Sequence, residues 1–136
     1  FQYYSLQHSP IQKKDILYGS TDGPAYYFFV WPNFMLNILP GRLQTNIVIP
    51  TAHNACKVLF DYYYDDVASA KAKEVIDADI QYSDKVQKED AEICEHVQHG
   101  LESRAYHKGR FSPGMENGVY HFQTLLKQAY RSAIKP

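Results

Sequence analysis

Hydrophobic and polar positions divide the chain into a strand-like first half and a helix-like second half. FQYYSLQ alternates weakly. YGSTDGP, with Gly19, Asp22, Gly23 and Pro24, reads as a turn. AYYFFVW is aromatic and apolar throughout, the look of a strand covered on both faces. NFMLNIL follows Pro32 and puts Asn33, Met35, Asn37 and Leu39 on one face, with Phe34, Leu36 and Ile38 on the other. LPGRL is a Pro-Gly turn. RLQTNIVIP sets Leu43, Thr45, Ile47 and Ile49 against Gln44, Asn46 and Val48. TAHN then turns the chain and CKVLFDYYYD runs back, so the spacing predicts an antiparallel meander.

The period then changes. Asp65 or Asp66 is placed to cap a helix through VASAKAKEVIDA. Ser83 or Asp84 is placed to cap a second, longer helix reaching towards Tyr106. GRFSPGMENG is a Gly/Pro-rich loop, and VYHFQTLLKQAYRSAIK sets Phe122, Leu125, Leu126, Ala129 and Ala133 at helical spacing. Strands followed by helices predict the α+β class, an antiparallel sheet packed on a long helix.

One position in the longer helix conflicts with its chemistry. In DKVQKEDAEICEHVQHGL, Val86, Ile93, Cys94, Val97 and Leu101 form one stripe, roughly 100° wide. Lys85, Lys88, Glu92, Glu95, His96 and His99 cover the opposite side. Asp90 falls near the centre of the apolar stripe, while Glu89 points to its edge. A carboxylate aimed at a core is costly unless a cation meets it. It lies too far inside the helix to be an N-terminal cap. The pattern leaves a buried ion pair with an arginine such as Arg42 or Arg104, a metal ligand, or a catalytic acid.

Composition narrows the function classes. The net charge of −1 leaves no basic field for nucleic acid. The chain has no apolar run long enough to span a membrane, and FQYYSLQHSP does not read as a signal peptide. Cys56 and Cys94 lack CxxC spacing and are expected to be reduced thiols of a cytoplasmic protein. Twelve tyrosines suit a half-buried sheet. Tyr62, Tyr63 and Tyr64 cannot share one cavity, because adjacent strand residues alternate sides. His96 and His99 are spaced i, i+3 but fall on the solvent side of their helix, so a metal site there is not expected. There is no GxSxG, Walker loop, GxGxxG or HExxH.

Longer patterns carry a resemblance. WPNFMLN, the QKED, ICE, VQ and GL segment, and GRFSP with ENGVYHF and its terminal helix closely resemble the C-terminal part of the catalytic α subunit of Rieske non-heme iron oxygenases. These are the ring-hydroxylating dioxygenases and their monooxygenase relatives. Within them the chain looks most like the branch that contains choline monooxygenase and enzymes acting on betaine-like substrates. The resemblance implies a helix-grip catalytic domain, with residues 1–136 as its C-terminal portion and the Rieske domain absent. It implies insertion of oxygen from O2 into an organic substrate at a mononuclear Fe(II), held by two histidines and one carboxylate. Asp90 matches that carboxylate, as metal ligand and catalytic residue. Val86, one turn earlier, and Met35 and Asn37 on a strand are the pocket candidates.

The resemblance further implies a [2Fe–2S] Rieske cluster in the intact parent, a reductase or ferredoxin donor, and assembly as a homotrimer or other homo-oligomer. The two cysteine–histidine pairs of a Rieske domain and the other two iron ligands have no expected counterpart here. The isolated chain is therefore expected to be an inactive fragment. The alternative is a stand-alone module of helix-grip fold that binds an apolar ligand without catalysis.

Overall fold

The computed structural model describes residues 1–10 and 23–134. Most of the predicted YGSTDGP turn lies outside them. Five strands, β1 (Tyr4–Pro10), β2 (Pro24–Val30), β3 (Phe34–Leu39), β4 (Arg42–Ala52) and β5 (Ala55–Tyr64), precede two helices, α1 (Ala70–Leu101) and α2 (Asn117–Ala133). The strands form one antiparallel sheet in sequence order, the expected meander. The chain is α+β, with a long helix beside the sheet.

The turns explain the order. Pro40 and Gly41 link β3 to β4 and bring Leu39 opposite Arg42. Gly41 has φ 72°, the left-handed conformation that the third position of a Pro-Gly type II turn requires. His53 and Asn54 link β4 to β5, bringing Ala52 opposite Ala55 after a register irregularity at Pro50.

Register sorts the side chains into two faces. Met35 opposes Phe29 and Asn46, Asn37 opposes Tyr27 and Gln44, and Arg42 opposes Tyr64. These residues share the inner face, where both helices lie. At one end Phe122 of α2 meets Phe29 edge-on at 5.3 Å and Trp31 at 5.5 Å between ring centroids. At the other end Asp79 of α1 meets Arg42 and Tyr64. The outer face, which carries Leu6, Phe28, Leu36, Ile38, Leu43, Ile47 and Leu59, is left half-buried to exposed. Covering on one side alone corrects the expectation for AYYFFVW: Ala25 is buried, but Tyr26 and Tyr27 are each 38% exposed. Tyr62 and Tyr64 point inward while Tyr63 points out, as strand alternation requires.

A second correction concerns the helices. The two expected between Asp65 and Tyr106 are one helix of 32 residues. No Gly or Pro interrupts DADIQYSD, so nothing stops propagation through Ser83. The cap is Ser69, whose hydroxyl accepts from the Ala72 amide at 3.1 Å. Asp66 stands one layer further out and accepts from the Ser69 hydroxyl at 2.6 Å and the Ala68 amide at 2.9 Å. The helix ends at Leu101, before Tyr106, with Glu102 as C-cap.

Candidate functional site

Among the described residues a buried ion pair joins helix to sheet. Arg42 Nη1 donates to both carboxylate oxygens of Asp79 and reaches Ser83 Oγ at 3.4 Å. Tyr64 donates its hydroxyl to Asp79 Oδ2 at 2.6 Å. Asp79 is 1% exposed, the most enclosed charged residue described. Arg42 also lies over the Tyr62 ring, 5.9 Å from its centroid, within cation–π range. Burial, then the hydrogen bond to Asp79 and its charge, push the Tyr64 phenol far above its ordinary value, against a smaller opposing pull from Arg42. This favours the neutral phenol that donates to Asp79.

Sequence reading placed the buried carboxylate at Asp90 and offered Arg42 or Arg104 as its partner. The structure gives Arg42 to Asp79 and leaves Arg104 exposed. Asp90 is exposed too, and no hydrogen bond or ion pair to it occurs among the described residues. The apolar stripe around it stays open as well, with Ile93 at 61%, Val97 at 55% and Leu101 at 47% exposure. The physical reason is reach. Among the described residues the polar side-chain contacts of α1 with the sheet lie in its first half, at Asp79 and Ser83, with Val86 and Gln87 half-buried beyond them.

Helical phase nonetheless ties Asp90 to that contact. At about 100° per residue, Ser83, Val86 and Asp90 all fall within about 40° of Asp79 around the axis. Asp90 thus lies on the same side of α1 as Asp79, about 20° from it, and Glu89 does not. Asp79 belongs to the same stripe. A helix starting at Ser83 omits it, although the same phase carried back one turn reaches Asp79.

Strand β4 carries the second anomaly. Its polar set is the buried one: Gln44 is 5% and Asn46 7% exposed, while the apolar Ile49 on the opposite face is 39% exposed. Gln44 Nε2 donates to Asn46 Oδ1 at 2.8 Å. A strand that turns amides inward breaks the usual hydrophobic-in pattern, as functional surfaces do. Beside it, on the same face, a cavity of about 440 Å³ opens between β1–β3 and α2. Tyr27, Phe29, Met35, Asn37 and Phe122 line it, with Ser5 and Gln7 at the β1 side. No side chain charged at neutral pH lines it, so it suits an apolar group, or a cation held by ring faces, together with an amide-bonded polar group. Met35 and Asn37, both expected at a pocket, are in its wall; Val86 is not.

Among the described residues no group of three or more His, Cys, Asp or Glu side chains is arranged to hold a metal ion. His96 and His99 are exposed, as expected. Cys56 and Cys94 are free and exposed. Contrary to the expectation that no CxH or CxxH pair occurs in the chain, Cys94 and His96 have the C-x-H spacing of a Rieske pair. Both lie on α1, where residues two apart point about 200° away from each other, so they cannot close on one iron. No helix among the described residues is long and apolar enough to cross a membrane.

Comparison with known proteins agrees with this architecture. Residues 4–132 match the family described as the ring hydroxylating alpha subunit, catalytic domain. Chloroplastic choline monooxygenase of Arabidopsis thaliana is 47% identical over 75% of this chain and 24% of its own length. The carnitine monooxygenase oxygenase subunit of Escherichia coli K12 is 31% identical over 82% of this chain and 32% of its own length. The chain thus spans about a quarter to a third of these relatives. A crystal structure of a quaternary ammonium Rieske monooxygenase, CntA, solved with an inhibitor, superposes with a TM-score of 0.77 over 94% of this chain and 36% of the other. At 24% identity that likeness establishes the fold. With nearly its full length matched, the chain belongs to the catalytic domain family of ring-hydroxylating oxygenase α subunits.

Proposed function

We propose that this chain forms the substrate-facing part of a Rieske-type oxygenase, one that inserts oxygen from O2 into a small organic cation, with Asp90 as the carboxylate ligand of its mononuclear Fe(II). The observation that carries the reading is the placement of Asp90. It is a carboxylate whose side chain has no protein partner among the described residues, on the stripe of α1 that it shares with Asp79. The described residues fit the metal only in part, because they supply one ligand and no complete set. The other two ligands would come from the larger part of the subunit that the relatives possess and this chain does not span. Iron, when bound, supplies the activation of O2.

The chain's own residues do the rest. Met35, Asn37 and the rings of Tyr27, Phe29 and Phe122 bind and orient the substrate. The cavity offers faces of π density and no counter-charge, which suits a quaternary ammonium group, as the names of the choline and carnitine monooxygenase relatives suggest. Val86 lies on the same stripe as Asp90 but outside the cavity wall. A reductase or ferredoxin donor, a Rieske cluster and homo-oligomeric assembly belong to the whole subunit on this reading. The exposed free thiols suit any reducing compartment. The Arabidopsis relative's name makes a chloroplast a better choice than the cytoplasm first expected.

The test is iron content. In the natural protein, Asp90→Ala should lose iron from the mononuclear site, and Glu89→Ala, its exposed neighbour, should keep it. Full loading of the Asp90→Ala protein would overturn the reading and leave the cavity as a binding site without catalysis. The isolated chain should show no turnover with added Fe(II), O2 and reductant.

A further inference from the structure

We infer that Arg42, Tyr64 and Asp79 act as a positioning latch that sets the rotation of α1 about its axis, and with it the direction of Asp90. The inference rests on the proposed role of Asp90, and it assigns work to a buried charged cluster that substrate binding does not use.

Three observations support it. First, the latch is the one place where polar side chains bind α1 to the sheet among the described residues. Arg42 holds Asp79 and reaches Ser83, and Tyr64 holds Asp79 from the neighbouring strand. Two donors from different strands on one carboxylate fix both its distance and its azimuth. Second, the helix beyond the latch has little else to orient it. Every residue from Lys88 to Val97 is exposed, so no side chain in that stretch is packed against the sheet. Third, the phase agrees. Asp90 is eleven residues after Asp79 in one uninterrupted helix, a displacement of about 20° around the axis and about 16 Å along it.

The geometry makes the latch sensitive. A helical side chain ends about 6 Å from the axis, so a rotation of about 20° swings Asp90 by about 2 Å. Metal–ligand distances tolerate about 0.2 Å. A hydrophobic contact in place of the latch would permit such rotation, because apolar packing has no direction of its own. A buried ion pair with a hydrogen-bonded phenol does not. Specificity of orientation also explains why charge is buried here, where apolar residues would serve stability as well.

The test uses the natural protein, stripped of iron and refilled with Fe(II) for affinity or with Co(II) for its visible ligand-field spectrum. Arg42→Lys, Asp79→Asn and the mild Tyr64→Phe are compared with Leu125→Ala, a half-buried position on α2, and with Asp90→Ala. The latch variants should bind Fe(II) about tenfold or more weakly, the usual scale for residues that orient a ligand. Their Co(II) bands should shift or broaden at temperatures where the fold is intact. Leu125→Ala should lower the melting temperature without moving the spectrum. If the latch variants melt earlier but keep the Fe(II) affinity and Co(II) spectrum of the parent, the latch is a structural ion pair only and the inference is wrong. If Arg42→Lys and Asp79→Asn fail to fold, Tyr64→Phe, which removes one hydroxyl, decides by the same two readings. An unaltered metal site in Asp90→Ala would instead overturn the role of Asp90 itself, so the two failures are distinguishable.

Discussion

Asp79 and Asp90 stand on one stripe of α1, the first sealed beneath Arg42 and Tyr64 and the second open to solvent. Two acids of the same type on the same side of one helix thus have opposite environments. The sealed one is the one whose loss should cost stability. Removing either partner of a buried pair leaves the other charge unpaired, at a cost of about 3–5 kcal/mol. Asp79→Asn and Arg42→Met should each lose about that much in denaturant unfolding. The double variant Arg42→Met/Asp79→Leu removes both charges and should lose clearly less than the sum of the two. Additive losses would show that the pair is not coupled. Asp90→Asn, by contrast, should leave stability within about 0.5 kcal/mol, the range of ordinary surface substitutions.

Gly41 prepares that pair, since it directly precedes Arg42 in the turn that starts β4. Its φ of 72° is costly for any side chain, and a Cβ there would meet nothing nearer than Asp65 Oδ2 at 3.9 Å. The penalty is therefore conformational and not a clash. Gly41→Ala should lose about 1–2 kcal/mol. Gly41→Asn should lose less, because asparagine tolerates the left-handed region. Equal losses for the two, read from denaturation midpoints at constant slope, would mean that space and not φ decides.

The alternation in β3 and β4 and the turn at Pro40–Gly41 were legible because period 2 and Pro-Gly chemistry are local properties. The register followed from them. The single long helix was not legible: Ser83 is a good N-cap residue in isolation, and only its burial beside Arg42 shows that it sits inside a helix. The mate of Arg42 was missed for the same reason. At Asp90 the helical period places the carboxylate on an apolar stripe, but a stripe need not be covered. Exposure depends on what packs against a helix, and Ile93, Val97 and Leu101 are left about half exposed. The inward amides Gln44 and Asn46 were visible as one face of β4. Which face is inner is a tertiary fact, fixed by where α1 and α2 land.

The N-terminus of α1 should carry a small acid sensitivity. Asp66 is held below the usual carboxylate range, first by the Ser69 hydroxyl and then by the backbone amides of Ala68 and Ser69. A folded-state value below the unfolded one adds stability above the unfolded value, near pH 4. That contribution is lost as pH falls through the folded value. Asp66→Asn removes the titration but keeps an acceptor oxygen. The difference in stability between parent and Asp66→Asn should therefore shrink as the solution is acidified below about pH 4. Amide exchange at Ala72 and Lys73, whose amides meet Ser69 at 3.1 and 3.2 Å, would report it locally. A difference that grows on acidification would have the wrong sign for this arrangement.

Met35 separates packing from recognition. It lies in the wall of a cavity of about 440 Å³, on the same strand face as Asn37 and between the partners Phe29 and Asn46. If the cavity is real working space, a larger side chain has room to enter it. Met35→Trp should then change stability by less than about 1 kcal/mol while it occupies the volume that a small organic cation needs. Substrate affinity should fall at least tenfold, and iron content should not change, because Met35 is not on α1 and touches no proposed ligand. If Met35 is packing alone, the added indole is excess volume in a filled core and should cost about 1–3 kcal/mol. Substrate affinity in the surviving folded protein would then be unaltered. The two outcomes differ in both readings, so one variant with a melting curve, a metal assay and a binding titration with choline decides what the inner face of β3 is for.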